Sequence, residues 1–256
     1  MKTEPIIGIS SLHFIWHSLE EAFERCAVEF GFKFIEFSYS DLLKEKDLLL
    51  MKEFKKKYNI ETGLHIWDNI PEIGKEEAIL KMKDYLNICS IAEISFLTAH
   101  LGKYSEREIG LNIVFEVLKN VISLYEKKNI KICIENHYID ELGNSPQEFL
   151  YFFEKINSPS LKFCFDYGHA NLNGDIFEFI EKLYKFFGIV HVSDNNGDKD
   201  EHLHYGDGNI EWKEVLSLTL KKGFFGPYII EFGGKNEKIE KFKSFENDLK
   251  EIAKNL

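Results

Sequence analysis

The run Ile130-Lys131-Ile132-Cys133-Ile134-Glu135 is apolar apart from one lysine and stops on a carboxylate, and Leu161-Lys162-Phe163-Cys164-Phe165-Asp166 repeats the pattern in the next unit. A strand with one wet face alternates polar and apolar residues. A run apolar on both faces is a strand covered on both sides, as in a parallel sheet packed under helices. Six further runs of this kind, at residues 5–10, 33–38, 60–66, 94–100, 188–193 and 228–232, recur at intervals of about thirty residues, the length of a strand, a helix and two loops. Amphipathic stretches with helix-start signals lie between them. Ser18-x-x-Glu21, Ser105-x-x-Glu108 and Ser145-Pro146-x-Glu148 fit the capping box, and Gly31 and Gly223 stand where helices should stop. A final helix from about residue 235 places Ile239, Phe242, Phe245, Leu249 and Ile252 on one side. Eight strand–helix units in strict alternation predict an α/β fold, a (β/α)8 TIM barrel forming one domain over residues 1–256. The first strand is not followed by a Gly-x-Gly-x-x-Gly turn, which weighs against an open doubly wound sheet.

Composition narrows the function classes. The 256 residues are 44% hydrophobic and 29% charged, an ordinary balance for a globular chain. Apolar runs fall well short of the roughly 18 residues of a membrane span, and the short run Ile6-Ile7 after Pro5 is broken at Gly8, unlike a secretory leader. A cytoplasmic protein with no membrane partner is expected; the sequence leaves the oligomeric state open. Cys26, Cys89, Cys133 and Cys164 are far apart with no Cys-x-x-Cys pair, which argues against a disulfide framework and a zinc ribbon. The net charge of −11 arises from 43 acids against 32 bases, of which only Arg25 and Arg107 are arginine. A duplex-binding face needs clustered cations, so nucleic acid is the less favoured partner.

In such a barrel the carboxyl ends of the strands carry the chemistry. Glu36, His65, His100, Glu135, Asp166, His191 and Glu231 fall at or near seven of these ends. Residues two apart share a face, so Cys133 points with Glu135, Cys164 with Asp166, and Phe96 with Thr98 and His100. Small or apolar groups thus lie beneath a polar rim, with Cys133 and Cys164 as core filler. Asp166-Tyr167-Gly168-His169 adds an imidazole just past strand six, and Asp200 and His202, two apart in an extended loop, can chelate one ion. Carboxylates and imidazoles without thiolate suit Zn²⁺, Mn²⁺, Fe²⁺ or Co²⁺, and several buried acids at one rim need such a counter-charge. Glu36 reads equally as hydrogen-bond partner or catalyst. His13, His17, His137 and His204 read as solvated loop histidines, Trp16 and Trp67 as pocket walls or rim packing, and Trp212 as core.

The phrases Gly63-Leu64-His65, Thr98-Ala99-His100, Ile134-Glu135-Asn136, Phe165-Asp166-Tyr167-Gly168-His169-Ala170, His191-Val192-Ser193-Asp194, Asp200-Glu201-His202 with Gly206-Asp207-Gly208, and Ile230-Glu231 occur in this order. In that order and spacing the chain resembles the xylose isomerase-like TIM-barrel superfamily, which holds sugar isomerases and epimerases together with endonuclease IV. The epimerase branch implies one divalent ion on Glu135, Asp166, His191 and Glu231. Glu135 and Glu231 then exchange protons through an ion-stabilised enediolate, and His169 holds a substrate oxygen. The endonuclease IV branch implies three zinc ions on nine ligands, and each position finds a match here: the same four plus His65, His100, His169, Asp200 and His202. Against a nuclease, the loop Ser38-Tyr39-Ser40-Asp41 lacks basic and intercalating residues, and Trp67-Asp68-Asn69 offers a carboxylate where a cation would serve. Lys103 and Lys199 are the obvious lysines near the rim. The expectation is therefore a metal-dependent isomerase or epimerase of a small polyol, keto-sugar or sugar phosphate, holding one to three ions, Zn²⁺ or Mn²⁺ before Fe²⁺ or Co²⁺. A phosphodiesterase of the abasic-site endonuclease type is the alternative.

Overall fold

Eight parallel strands close into a barrel in sequence order, each bonded to the next and β8 to β1. They are β1 (Ile6–Ser10), β2 (Phe34–Ser38), β3 (Glu61–Ile66), β4 (Phe96–His100), β5 (Lys131–Glu135), β6 (Leu161–Asp166), β7 (Phe187–Val192) and β8 (Pro227–Ile230). The computed structural model describes residues 4–15, 17–38, 45–232 and 238–256. Strand ends fall within two residues of the sequence expectation throughout.

Ten α-helices among the described residues jacket the barrel: α1 (Leu19–Glu24), α2 (Glu45–Tyr58), α3 (Ile70–Ile73), α4 (Lys75–Ala92), α5 (Arg107–Lys127), α6 (Pro146–Ile156), α7 (Tyr167–Leu172), α8 (Ile176–Leu183), α9 (Trp212–Lys221) and α10 (Ile239–Lys254). The larger apolar core lies between this jacket and the outer faces of the strands, where Ile9, Ile35, Leu97 and Phe165 meet helix residues such as Phe23, Val114 and Phe179. Among the described residues no helix is long and apolar enough to cross a membrane.

A second cluster fills the barrel itself: Phe34, Cys133, Cys164, Ile189 and Ile229, with Phe96 packed against it. Each stands two residues before a polar group, giving Phe34 with Glu36, Phe96 with Thr98, Cys133 with Glu135, Cys164 with Asp166, Ile189 with His191 and Ile229 with Glu231. Strand parity therefore builds an apolar floor and sets the carboxylates and imidazoles one layer above it. The Phe34 ring fits because β1 and β3 supply glycine at this level; a Cβ on Gly8 would lie 2.7 Å from Phe34 Cβ, and one on Gly63 3.1 Å from Phe34 Cε1.

Local capping differs from the sequence expectation at two helices. Ser18 and Glu21 do form the reciprocal box that opens α1. At α5 the N-cap is Glu106, with no side-chain cap, so Ser105 does not start that helix. At α6 Ser145 is the N-cap and Pro146 follows it, but Glu148 turns away from Ser145. Its carboxylate takes the two-pronged guanidinium of Arg107, at 2.6 and 2.9 Å, and the Gly143 N–H at 2.7 Å. A charged bidentate partner outcompetes a neutral backbone donor. α10 begins at Ile239 and buries Phe242, Phe245 and Leu249; the expected start near residue 235 lies outside the described residues.

Candidate metal centre

Seven strand-end groups project onto the floor. All except His100 are buried, and His100 is half-buried. His169 joins them from the first turn of α7: the Asp166 carboxylate accepts from its backbone N–H at 2.7 Å, so one side chain both caps the helix and faces the site. Asp200 and His202 arrive on the loop between β7 and α9. An antiparallel bridge between Asp194 and Leu203, with N–H···O distances of 3.0 and 2.8 Å, pins that loop at its base. His202 takes a left-handed backbone, φ 46°, and its Nδ1 lies 3.0 Å from the Glu231 carbonyl, which leaves Nε2 facing Asp200.

Glu135 lies at the middle. Its Oε2 is 3.1 Å from His65 Nε2 and 3.2 Å from His100 Nε2, and those two nitrogens are 2.9 Å apart. Its Oε1 turns to a second group, in which His191 Nδ1 is 3.1 Å from Glu135 Oε1, 3.4 Å from Glu231 Oε2 and 3.9 Å from Asp166 Oδ2. In a third group Asp200 Oδ2 is 3.4 Å from His169 Nε2 and 3.3 Å from His202 Nε2. His169 Nδ1 is 2.9 Å from the Asn136 carbonyl; donating there, it leaves Nε2 as the free lone pair, so His169 falls in the third group.

These spacings fit a divalent ion. Tetrahedral ligands about 2.0–2.1 Å from zinc stand about 3.3 Å from one another. Despite its two close nitrogens Glu135 Oε2 makes no hydrogen bond; Asp166 Oδ2 and Asp200 Oδ1 are likewise buried without one. Polar atoms this buried are normally paired. Unpaired carboxylate oxygens set among imidazole nitrogens at these spacings are what a cation cage presents. Cys164 also comes within ligand distance of Glu135 and His191, but burial pushes its thiol well above the usual range, which keeps it neutral. It serves as floor.

The acids hold protons on the imidazoles. Burial opposes charge on His65, yet Glu135, Glu231 and Glu36 outweigh it and raise it to about 10. Burial likewise opposes charge on His169 and His202, but Asp166 and Asp200 raise His169 to about 9, and Asp200 and Glu231 raise His202 to about 10. His191 is raised well above its ordinary value against its burial. Metal uptake must displace these protons. Zinc added to the metal-free chain in weak buffer at pH 7 should release about three to four protons per chain, and affinity should fall as pH falls. The sign for folding is opposite. A raised imidazole stabilises fully below its unfolded value of about 6.5, and that stability is lost as pH rises through about 9–10. Metal-free protein should therefore melt lower at pH 10 than at pH 7. A pH-stat titration and a pair of melting curves check both; zinc uptake without proton release would contradict the first.

Other residues complete the setting. Asn136 ties the ends of β5 and β6, accepting from Asp166 N at 2.8 Å and donating to Asp166 O at 2.9 Å. His137, expected as a solvated loop histidine, is buried, stacked on His169 at 4.4 Å and edge-on to His100 at 4.8 Å. Burial, with His169 and His100 beside it, pushes it down to about 3, so it stays neutral. His13 and His204 are buried too, against Phe242 and Phe232 respectively. Trp67 is 51% exposed and edge-on to His65 at 5.7 Å, walling a cleft of about 160 Å³ shared with His100, Lys103, His137 and Glu141. Trp212 is core, as expected, and donates its indole N–H to Asp194 at 2.8 Å. Trp16 and Tyr39–Asp41 lie outside the described residues. Both arginines are engaged with acids, Arg25 with Glu29 and Arg107 with Glu148, and Lys103 and Lys199 lie 3.9 Å from Asp140 and Glu201.

Known proteins resemble this chain in sequence or in structure. An uncharacterized protein of Methanocaldococcus jannaschii is 32% identical over 244 residues, covering 88% of this chain and 82% of its own. A probable endonuclease 4 of Thermosipho africanus is 28% identical over 252 residues, covering 85% of each. A solved structure described as a D-tagatose 3-epimerase-like protein superposes with a TM-score of 0.83 at 28% identity, over 98% of this chain and 97% of that one. The family description "xylose isomerase-like TIM barrel" matches residues 25–254, a span that takes in all the rim groups from Glu36 to Glu231. On that match, the closed barrel and the order of its strand-end groups, this chain belongs to the xylose isomerase-like TIM-barrel family.

Proposed function

We propose that this chain is a divalent-metal-dependent isomerase or epimerase of a small polyhydroxy or keto compound, acting as one domain. The observation that carries the reading is the pair Glu135 and Glu231, brought from β5 and from the end of β8 to within 3.1 and 3.4 Å of His191 Nδ1. A bound divalent ion, Zn²⁺ or Mn²⁺ by its donor set, would polarise adjacent hydroxyl and carbonyl oxygens and acidify the C–H between them. One of Glu135 and Glu231, as carboxylate, would then take the proton from one face of that carbon, and the other, as carboxylic acid, would give one to the opposite face. Burial opposes charge on Glu231, but His191 and His65 hold it down to about 2, and Glu135 is lowered by the same cations. Both are thus ionised in the metal-free chain. His169 presents Nε2 to a substrate oxygen, and the floor of Phe34, Cys164 and Ile229 keeps water away from below.

A second reading has its own observation. Glu135 spreads its two oxygens between separate imidazole groups, and His169, Asp200 and His202 form a third group. A one-ion epimerase needs neither outer group, whereas phosphoester hydrolysis uses neighbouring ions on the attacking and leaving oxygens. The relative named as a probable endonuclease 4 supports this alternative. Against a duplex substrate stand the net charge of −11 and two arginines bound to acids, because tracking phosphates takes several free cations.

The test is to load purified metal-free protein with zinc or manganese, count ions by mass spectrometry, and incubate it in D2O with a panel of ketoses and in buffer with an abasic-site duplex. Deuterium at the carbon beside the carbonyl together with an epimerised product is expected. Strand scission without exchange would replace the first reading by the second.

A further inference from the structure

We infer that Asn171 and Asn195 are positioning residues, a clasp between α7 and the β7–α9 loop that holds His169 against Asp200 and His202 as one ion-binding group. The two sides of that group ride on separate pieces of chain. His169 belongs to α7, whereas Asp200 and His202 lie on a loop with no helix or strand of its own. The bridge from Asp194 to Leu203 closes this loop on itself, so a further contact must register it against α7. Asn195 supplies that contact. It is fully buried, and its amide works in both directions. Its Nδ2 donates to the Gly168 carbonyl at 2.8 Å, and its Oδ1 accepts from Asn171 Nδ2 at 2.8 Å and from the Gly197 N–H at 3.0 Å. Asn171 Nδ2 also donates to Asn209 Oδ1 at 2.7 Å, and the Asn209 N–H donates to the Asn195 carbonyl at 2.9 Å.

Gly168 and Asn171 bracket His169 in sequence, so the loop is fastened to α7 on both sides of the ligand. Close approach is built in. A Cβ on Gly168 would lie 2.4 Å from Ser193 Oγ and 3.2 Å from Asn195 Nδ2, so glycine is what lets the first turn of α7 sit against the end of β7. The clasp also needs groups that both donate and accept without carrying charge, and a carboxamide does both. A carboxylate at 195 could not donate to the Gly168 carbonyl, and a lysine at 171 would set a fixed cation beside the place where an ion binds. The geometry it protects is narrow. His169 Nε2 and His202 Nε2 stand 3.4 and 3.3 Å from Asp200 Oδ2, close to the spacing of zinc ligands, and a slide of about 1 Å between loop and helix would open the group.

The inference rests on the reading of His169, Asp200 and His202 as an ion-binding group, and the experiment separates the two. Zinc affinities are measured step by step by chelator competition for wild type, Asp200→Asn, Asn171→Ala and Asn171→Leu. The step that Asp200→Asn removes marks the ion of this group. Both Asn171 variants lack the amide donor, and leucine nearly keeps its volume. Alanine and leucine favour a helix more than asparagine does, so α7 itself is not weakened. In both variants the marked step should weaken by about 10–100-fold, with the remaining steps within about threefold of wild type. Cobalt(II) spectra should change only in the bands that Asp200→Asn lacks. A marked step within threefold of wild type in both variants would overturn the clasp, and so would equal weakening at every step, which is the mark of general destabilisation. If Asp200→Asn takes up as many ions as wild type, the ion-binding reading of the group fails instead, and the role of the clasp falls with it whatever the Asn171 variants do.

Discussion

Glu135→Gln is expected to lower turnover by about 10³–10⁵-fold, the combined loss of a proton-transfer base and of a metal-binding anion. The glutamine amide matches the carboxylate in volume, so the floor beneath it, Cys133 and Ile189, need not move. Its chemistry does not match. One of the two oxygens becomes an NH2 that donates hydrogen bonds and carries no lone pair for an ion. Whichever way the amide turns, one group is left without its carboxylate oxygen: His65 with His100, or His191 with Asp166 and Glu231. The zinc count should therefore drop along with the rate, and the proton release on zinc addition should shrink, because Glu135 is a main cause of the raised His65. Glu231→Gln should cost as much in turnover while leaving His65 with His100 supported. A Glu135→Gln protein that retains turnover within tenfold of wild type, with its full zinc content, would remove Glu135 from the mechanism.

The barrel was legible in the sequence because strands covered on both faces leave runs such as 130–135 and 161–166, and because parity is a strict rule. Once Cys133 and Glu135 share a face, the floor and the rim follow. Asp200 and His202 were legible as a pair only through their spacing; nothing local indicates that the loop folds back over His169. What the sequence hid was decided by competition in three dimensions. Glu148 carries a good capping signal for α6, yet Arg107, distant in sequence, takes its carboxylate. His137 follows the strand end by two residues in a loop without periodicity, and its burial depends on His100 and His169 from other units. Glu36 was within reach of the parity argument, since Phe34 two residues earlier is floor. Its partner could not be read, because the 2.7 Å approach to His191 depends on how far β2 and β7 reach across the barrel.

The same competition makes Asp194 the residue whose loss should unsettle the structure most. It is fully buried and accepts four N–H groups: Asn195 at 2.9 Å and Ile210 at 3.3 Å on Oδ1, Gly206 at 3.0 Å and the Trp212 indole at 2.8 Å on Oδ2. Its own backbone forms the bridge to Leu203 that closes the loop carrying Asp200 and His202. The loop backbone packs so tightly here that a Cβ on Gly208 would collide with the Asp194 carboxylate. In Asp194→Asn one oxygen becomes a donor facing two donors. Breaking a buried charged acceptor of this kind costs about 3–5 kcal/mol, and about 2–4 °C of melting temperature is lost per kcal/mol in a chain of this size. The metal-free variant should thus melt roughly 6–20 °C below wild type. The zinc-loaded variant should lose the ion of the His169, Asp200 and His202 group while retaining the ions on Glu135. Asp200→Asn is the control: it should lose the same ion with a smaller fall in the metal-free melting temperature at pH 7, because Asp200 is only half-buried, holds no part of the loop base and contributes only the support its charge gives His169 and His202. Equal melting temperatures for Asp194→Asn and wild type would mean that the loop is held by its backbone bridge alone. A full zinc complement in a strongly destabilised variant would mean that Asp200 and His202 reach the site without that support.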